Sequence, residues 1–273
     1  IMALLVLLML SICYMNGRKA KLVDEVSEND SQDEEEAIPL KKSIPMLFKN
    51  KYWVILILFN LITQITNSIA ATSGTYYCKW IFGNDNLVAL AGALGFFATL
   101  VGFVVSKPII AKLGVRKTID FGVLGAAFTA LIRCIIPTNF KVYIAVSVIG
   151  SFVQIPLMCL YGVLLAMVID YNEYTYYNKM VGVSSGAIGI GTKIGSGVGS
   201  VILTACLALG AYNPDLEVAT TSMRYAIYAF SNYLPLIINL GLFVLFRFFD
   251  LEEKLPAIHE ELARRRSQKS TEQ

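Results

Sequence analysis

A single lysine lies in the middle of an apolar, glycine-rich stretch, where a charged side chain is least expected. Lys193 occurs in the sequence SSGAIGIGTKIGSGVGS at residues 184–200. An unpaired charge at the centre of a membrane helix costs at least about 2.5 kcal/mol, and no acidic residue lies in the interior of any long apolar stretch. We expect the ammonium group to interact with a missing part of the protein, a ligand or water, with a structural ion pair as the alternative.

Glycines in the same stretch predict a close contact between two helices. Gly191, Gly195 and Gly199 recur every four residues, a spacing that lets the backbone of a neighbouring helix approach closely. Lys193 is two residues away from both Gly191 and Gly195, so it points to nearly the opposite side of the helix.

Three carboxamide side chains share one face of another apolar stretch. Asn60, Gln64 and Asn67 follow the spacing i, i+4, i+7, which places them on one side of a helix, with Thr63 beside them. Amides both donate and accept hydrogen bonds, as the binding of a hydroxyl-rich ligand requires. The pattern predicts the lining of a cavity, with hydrogen bonding between helices as the alternative.

Two further apolar stretches carry weaker polar stripes. One contains Gln154, Met158 and Tyr161, and the other contains Asn232 and Asn239. Polar groups inside a membrane usually face the protein interior or a wet cavity. One stripe on each of several helices therefore suggests a shared aqueous cavity.

The chain lacks the residue sets of common catalytic and metal sites. His259 is the single histidine, and the five cysteines stand apart in apolar stretches, so a Cys/His metal site has no ligands. No Ser/His/Asp set is available, and Lys193 is followed by Ile194 rather than by Ser or Thr, which excludes a phosphate-binding loop. We therefore predict neither an enzyme nor a bound cofactor.

The composition requires a lipid environment. Of the 273 residues, 56% are hydrophobic and 16% are charged, whereas soluble domains have about 25% charged residues. A soluble protein of this size cannot bury so much apolar surface. The composition excludes an ordinary cytosolic enzyme and, despite a net charge of +3, a nucleic-acid-binding protein.

Hydropathy predicts an all-α transmembrane protein. Six stretches are long enough to cross a hydrocarbon core of about 30 Å, at residues 52–73, 86–105, 119–136, 142–169, 183–209 and 225–248. We expect the end of a truncated transmembrane helix (1–15), an acidic cytoplasmic linker that is disordered or loosely helical (16–46), a six-helix transmembrane half (47–249) and a cytoplasmic tail (250–273). Positive charges follow the first apolar run rather than precede it, so we expect this chain to be the C-terminal portion of a longer protein.

The distribution of positive charge predicts the orientation. Of the 23 Lys and Arg residues, 18 lie in the linker, the tail and two short connections on the same side, and three lie on the opposite side. Cytoplasmic segments carry the excess of Lys and Arg. We predict a multi-pass protein of the plasma (inner) membrane with a cytoplasmic C-terminus.

Several segments resemble the glycoside–pentoside–hexuronide:cation symporters, the branch of the major facilitator superfamily that includes melibiose permease. That family has an A-D-x-x-D-Y-G-E-[WY] segment, then a basic residue and an E-G pair, then a helix with Q-K-x-G. The matching residues are Asp170, Tyr171, Glu173, Tyr174, Lys179, Gly182, Lys193 and Gly195. The segments YYCKW at 76–80, PIIAKLGVRK at 108–117 and DLEEKLPAIHEELARRR at 250–266 look like further parts of the family. The chain departs from the family pattern at Met167, Asn172, Val181 and Thr192.

The resemblance implies helices seven to twelve of a sugar:cation symporter that works by alternating access. This half of the substrate cavity would be lined by Lys193, Asn60, Gln64, Asn67, Gln154 and Tyr161. Lys193 would couple the binding of sugar and cation, and Asp170, Glu173 and Lys179 would belong to a cytoplasmic gate. The coupling cation, sodium or a proton, would bind mainly in the missing N-terminal half. The expected partners are a sugar, that cation, the lipid bilayer and the missing half.

Two other functions fit the same sequence. One is a major facilitator transporter of another class of solute, such as lipids or peptides. The other is a membrane sensor that does not transport. A membrane enzyme fits poorly, because the spans contain no histidine and no pair of acidic residues.

Overall fold

The computed structural model describes residues 40–271, which are helical with short connections and contain no strand in that range. The predicted helix end at 1–15 and most of the predicted linker, 16–39, lie outside the described residues. The last residues of the predicted linker belong to the first described helix, α1, which spans Leu40–Lys49.

Seven more helices follow α1 in the described part of the chain. They are α2 (Lys51–Trp80), α3 (Leu87–Ile135), α4 (Phe140–Tyr176), α5 (Val181–Leu209), α6 (Thr221–Tyr228), α7 (Leu234–Phe246) and α8 (Leu251–Thr271). A π-helical turn, Ala229–Tyr233, connects α6 to α7. Within residues 40–271, five helical stretches are long and apolar enough to cross a membrane: α2, α3, α4, α5 and the continuous stretch from α6 to α7.

Helix α3 consists of two predicted membrane spans joined at Gly114. Its 49 residues correspond to about 73 Å, more than twice the thickness of a hydrocarbon core. Gly114 has φ 77° and ψ 178°, a conformation that glycine adopts without a steric penalty. A Cβ atom at Gly102 or Gly122 would lie 2.9 Å from Ile155 or Leu157 of α4, respectively. Both halves of α3 therefore pack on α4, and the six predicted spans are all present as helices.

The predicted span 225–248 is not one regular α-helix. It consists of α6, the π-helical turn and α7, and Pro235 is at the start of α7. Proline has no backbone N–H, so the α-helical hydrogen-bond pattern cannot continue unchanged through it. A π-helical turn adjusts the backbone at such a point.

Helices α2 and α5 pack together through the predicted glycine face. A Cβ atom at Gly195 would lie 2.7 Å from the carbonyl oxygen of Leu61, and one at Gly199 would lie 2.7 Å from that of Ile65. Since real Cβ atoms do not come this close to backbone, only glycine allows this separation of the two helices. The predicted close contact is confirmed.

The predicted tail folds into α8 and packs against the ends of the membrane helices. Leu251, Ile258 and Leu262 are buried, and their spacing of seven and four residues places them on one face of α8. The opposite face of the helix is charged, so α8 is amphipathic. We call this end of the bundle, with the ion pairs described below, the α8 end.

Candidate functional site

A cavity of about 310 Å³ opens between α2, α4, α5 and α7. This volume lies at the lower limit of the range of about 300–1,000 Å³ that is typical of small-molecule sites. The lining residues are Phe59, Asn60, Thr63, Gln64, Thr66, Asn67, Gln154, Ile155, Leu157, Met158, Tyr161, Ile188, Thr192, Asn239 and Leu242. We call this space the central cavity.

Five of the six residues predicted to line a substrate cavity lie together in the central cavity. Asn60, Gln64 and Asn67 come from α2, and Gln154 and Tyr161 come from α4. The helix spacing explains this, because the residues of each stripe lie on one face of their helix. Their role in binding a substrate stays a prediction.

Asn60 is also a bridge between helices. It is buried, and its Nδ2 donates to the backbone oxygen of Ile188 at 3.0 Å and to Oγ1 of Thr192 at 3.2 Å. Both acceptors belong to α5. The two roles considered for this amide therefore coexist, since it lines the cavity and joins α2 to α5.

The polar stripe of the sixth predicted span is divided between two places. Asn239 lines the central cavity, and its Nδ2 donates to the backbone oxygen of Pro235 at 2.7 Å. Asn232 is fully buried elsewhere, where its Nδ2 donates to the hydroxyl of Tyr77 at 3.1 Å. Seven residues of helix correspond to about 10 Å, so Asn232 lies beyond the cavity, and its predicted place in a shared cavity is wrong.

Lys193 is not among the residues that line the central cavity. It is exposed on α5, on the side away from the buried Gly191 and Gly195. Within residues 40–271 it has no ion pair and no hydrogen bond from its side chain. It is about 18 Å along the helix axis from the first residue of α5, close to the middle of this helix. Its predicted function stays a prediction.

The predicted gate residues Asp170 and Glu173 contact the α8 end. Asp170 Oδ2 lies 2.9 Å from Nε2 of His259, and Arg266 Nη2 donates to both carboxylate oxygens of Glu173 at 3.0 Å. Both partners belong to α8. Lys179 lies in the connection between α4 and α5 and has an interaction of its own.

Asn172, where the family pattern has glycine, joins the start of α2 to the end of α4. Its side chain is fully buried, and its Oδ1 accepts a hydrogen bond of 2.8 Å from Nδ2 of Asn50. Asn50 is the N-cap of α2, because its Oδ1 accepts from the backbone N–H groups of Tyr52 and Trp53. The departure from the family pattern thus fills a defined structural position.

Asp250 is the centre of an ion-pair cluster just before α8. Its carboxylate lies 2.6 Å from Nζ of Lys254 and 2.8 Å from Nζ of Lys51, and the hydroxyl of Tyr52 donates to it at 2.9 Å. The hydrogen bond from Lys254, followed by that from Lys51, holds the pKa of Asp250 well below its usual value. The cluster links α2 to α8.

Glu252 caps the second half of α3. Its carboxylate accepts hydrogen bonds from the backbone N–H groups of Val115 at 3.0 Å and Arg116 at 2.8 Å. These N–H groups come directly after the bend at Gly114, so they have no partners within α3. A carboxylate at the start of a helix also interacts favourably with the helix dipole.

Several residues of the central cavity carry no signal in the sequence. Phe59, Ile188 and Leu242 are apolar residues within apolar spans, so nothing distinguishes them from residues that face lipid. Thr192 is noticeable in the sequence only as a departure from the family pattern, although its hydroxyl is an acceptor for Asn60. Within the described part of the chain, no group of three His, Cys, Asp or Glu residues could hold a metal ion.

Comparison with known proteins gives one family. The family model described as MFS/sugar transport protein matches residues 1–253. The chain is 19% identical over 228 residues to a candidate glycoside/cation symporter, YagG, of Escherichia coli (strain K12), covering 83% of this chain and 50% of the relative.

Two further relatives have similar coverage. An isoprimeverose transporter of Lactiplantibacillus pentosus is 27% identical over 219 residues, which are 78% of this chain and 43% of the relative. The uncharacterized symporter YnaJ of Bacillus subtilis (strain 168) is 23% identical over 224 residues, which are 82% of this chain and 48% of the relative. The chain therefore spans about half the length of these curated relatives.

Proposed function

This chain belongs to the MFS/sugar transport protein family, and we propose that it forms the C-terminal half of a transporter that carries a sugar or glycoside together with a cation. The observation that carries the proposal is the central cavity, which places amide and hydroxyl groups of four helices at one point inside a bundle of membrane-length helices. Such groups can donate and accept the hydrogen bonds that sugar hydroxyls require. The names of the relatives support the same class of function.

The proposed mechanism is alternating access between two halves. In transporters of this type, two structural repeats rock against each other around a site near the middle of the membrane. This chain spans about half the length of its relatives, so the opposite wall of the site would come from the other half. The glycine contact holds α2 and α5 so closely that we expect them to move as one unit.

The coupling of cation and sugar is assigned to Lys193. Its ammonium group has no partner within the described residues and lies on the exposed side of α5, where it is free to meet acidic groups or a cation site of the other half. The cation, sodium or a proton, would bind mainly there. A charge near the middle of the membrane is costly, so its retention is best explained by use in the transport cycle.

Asp170, Glu173 and Lys179 are proposed to belong to a gate at the cytoplasmic surface. The support is geometric, because Asp170 and Glu173 already pair with α8 at one end of the bundle. Opening this end would require these pairs to break or to exchange partners. Half-exposed ion pairs contribute about 0–1 kcal/mol each, which is small enough for such an exchange.

The proposed orientation places α8 in the cytoplasm of a multi-pass plasma-membrane protein. The excess of Lys and Arg on that side supports it. A single cysteine placed in α8 should react with an impermeant thiol reagent only after intact cells are opened. Labelling of that cysteine in intact, right-side-out cells would reverse the orientation.

The function is tested by reconstituting the complete transporter into liposomes and measuring cation flux when sugar is added. Isoprimeverose is the first probe, because one relative is named as its transporter. We expect sugar-dependent cation flux, and no flux from this chain alone, since one half lacks the opposite wall of the site. Sugar binding without flux would favour a sensor. Neither binding nor flux with any sugar would contradict the proposal.

A further inference from the structure

The wall of the central cavity carries no formal charge. Its lining within the described residues contains no Asp, Glu, Lys, Arg or His side chain. The nearest charge along the chain is that of Lys193, next to Thr192, and Lys193 is exposed on α5 and is not part of the cavity lining. A charged ligand group in this cavity would therefore lose its hydration without gaining an ionic partner from this half, which is unfavourable.

The same wall carries polar groups that the protein does not satisfy. Oγ1 of Thr63 and the hydroxyl of Tyr161 are buried atoms without a hydrogen-bond partner in residues 40–271. The amides of Gln64, Asn67 and Gln154 make no hydrogen bond within that range either. Buried polar atoms are nearly always paired in folded proteins, so the hydroxyls of Thr63 and Tyr161 have unused hydrogen-bonding capacity at the cavity wall, and the three more accessible amides add further donors and acceptors.

The protein already uses the other polar groups of the wall, which are Asn60, Thr66, Thr192 and Asn239. Asn60 donates to Ile188 and Thr192, and Asn239 donates to Pro235. The Asn60 amide joins α2 to α5, whereas the Asn239 amide bonds within α7. The unsatisfied groups, by contrast, form a set that a ligand with several hydroxyl groups would complete.

Apolar surface lies beside these polar groups. The rings of Phe59 and Tyr161 are neighbours, with centroids 6.0 Å apart, and Met158 and Leu242 complete this side of the cavity. A sugar ring has hydroxyl groups at its edge and C–H groups on its faces. Both parts would find a complementary surface here, as is typical of small-molecule sites with an apolar lining and few polar groups.

We propose that the central cavity accepts an uncharged sugar ring, as in a glycoside or pentoside, and disfavours hexuronides and amino sugars, with Tyr161 and Thr63 as hydrogen-bonding partners. The inference rests on the proposed function and narrows its substrate class. It also assigns specificity to the side chains of α2 and α4, and a positioning role to Asn60.

The test compares pairs of sugars that differ at one carbon, where a neutral group is replaced by a charged one. Binding to the complete transporter is measured by calorimetry for methyl glucoside, galactoside and mannoside, and for the corresponding uronides, in which a carboxylate replaces the CH₂OH group. We expect the neutral sugar that binds best to bind at least about tenfold more tightly than its uronide. Equal or tighter binding of the uronide would overturn the inference and leave sugar transport intact.

Variants test the assigned side chains. Tyr161→Phe removes only the hydroxyl and should weaken binding of the neutral sugar by about 3- to 10-fold. Tyr225→Phe is the matched control, because Tyr225 is 63% exposed and outside the cavity, and it should change nothing. Unchanged binding by Tyr161→Phe would overturn the assignment of this hydroxyl.

A charge added to the wall should reverse the preference. Gln154→Arg places a guanidinium group in the cavity and should lower the ratio of neutral sugar to uronide affinity, because it supplies the missing partner for a carboxylate. An unchanged ratio in a folded variant would show that the sugar binds elsewhere. If the variant does not fold, the ratio measured in the unaltered protein still decides the inference. Failure of every neutral sugar and uronide to bind would contradict the proposed function as well.

Discussion

The central cavity and the α8 end use polar side chains in different ways. In the cavity the polar groups are uncharged, and several of them, including Thr63 and Tyr161, have no partner in the described residues. At the α8 end the polar groups are mostly charged and paired, as Asp250 is with Lys51 and Lys254. Paired groups hold helices together, whereas unpaired neutral groups are available to a ligand.

The difference follows from the surroundings of each region. A charge within the hydrocarbon core is costly. A binding site there is best built from amides and hydroxyls, because an uncharged polar group without a hydrogen-bond partner costs less than an unpaired charge. At the helix ends water screens and solvates charges, and ion pairs form and break with small changes in free energy. Lys193 is the exception, a charge at membrane depth without a partner within the described part of the chain.

The largest effect is expected when the charge of Lys193 is removed. Lys193→Met keeps the length of the side chain and removes its charge. Expression should persist, while ion-driven sugar accumulation collapses and the effect of cation on sugar affinity falls by about 5- to 150-fold, or 1–3 kcal/mol. Lys193→Arg should restore function poorly, because a planar guanidinium does not replace a compact ammonium. Normal cation stimulation in Lys193→Met would show a purely structural lysine.

The second effect tests the glycine contact that shapes the cavity. Gly195→Ala places a Cβ atom 2.7 Å from the carbonyl oxygen of Leu61, so α2 and α5 must separate. We expect a loss of about 1–3 kcal/mol in the free energy of unfolding, measured by denaturation in micelles or bilayers. Gly197→Ala is the control, since no atom lies within 4 Å of its Cβ position; equal effects of both changes would contradict close packing as the cause.

A smaller effect is expected from the cap at the α8 end. Glu252→Ala leaves the N–H groups of Val115 and Arg116 without their carboxylate. We expect a loss of about 1 kcal/mol in the free energy of unfolding, measured by denaturation. The neighbouring Glu253 is a natural control, because its side chain is 76% exposed and its carboxylate is 3.9 Å from the guanidinium of Arg116. Glu253→Ala should therefore change stability very little, and a larger effect than that of Glu252→Ala would exclude the cap.

The smallest effect is a change in how stability depends on pH, through the carboxylate of Asp250. The hydrogen bonds of Asp250, first from Lys254, hold its pKa below the usual value. A carboxyl group whose pKa is lower in the folded than in the unfolded protein stabilises the folded state at pH values above about 4, its ordinary pKa. This stabilisation is lost as the pH falls through the lower pKa of the folded state. Melting temperatures should thus decrease below about pH 4 in the unaltered protein and decrease less in Asp250→Asn. Identical pH profiles of the two proteins would show that this cluster does not contribute to stability in acid.

Most of the membrane architecture was predictable from hydropathy. All six predicted spans are helical, because lipid requires long apolar segments with internally bonded backbone. The break at Gly114 lies in the predicted gap between two spans. The π-helical turn Ala229–Tyr233 was not predictable in the same way, because it depends on how the backbone adjusts before Pro235 rather than on hydropathy.

The polar half of the cavity was predictable and its apolar half was not. Gln64 and Gln154 are conspicuous in apolar spans, and each shares a face with other polar residues of its own helix, Asn60 and Asn67 in α2 and Tyr161 in α4. Phe59 and Leu242 are unremarkable in such spans, so only packing shows that they face the cavity. The partners of Asp170 and Glu173 were equally hidden, because His259 and Arg266 are distant along the chain and meet them only when α8 folds back.

The central claim is that sugar occupies the cavity between α2, α4, α5 and α7. Met158 lines this cavity and is 65% exposed, whereas Val218 lies in the connection before α6 and is 77% exposed. In a complete transporter whose native cysteines have been replaced, Met158→Cys and Val218→Cys are labelled with a thiol reagent with and without saturating neutral sugar. Sugar should slow labelling several-fold at position 158 and leave position 218 unchanged; equal labelling at 158 with a sugar that binds would contradict the account.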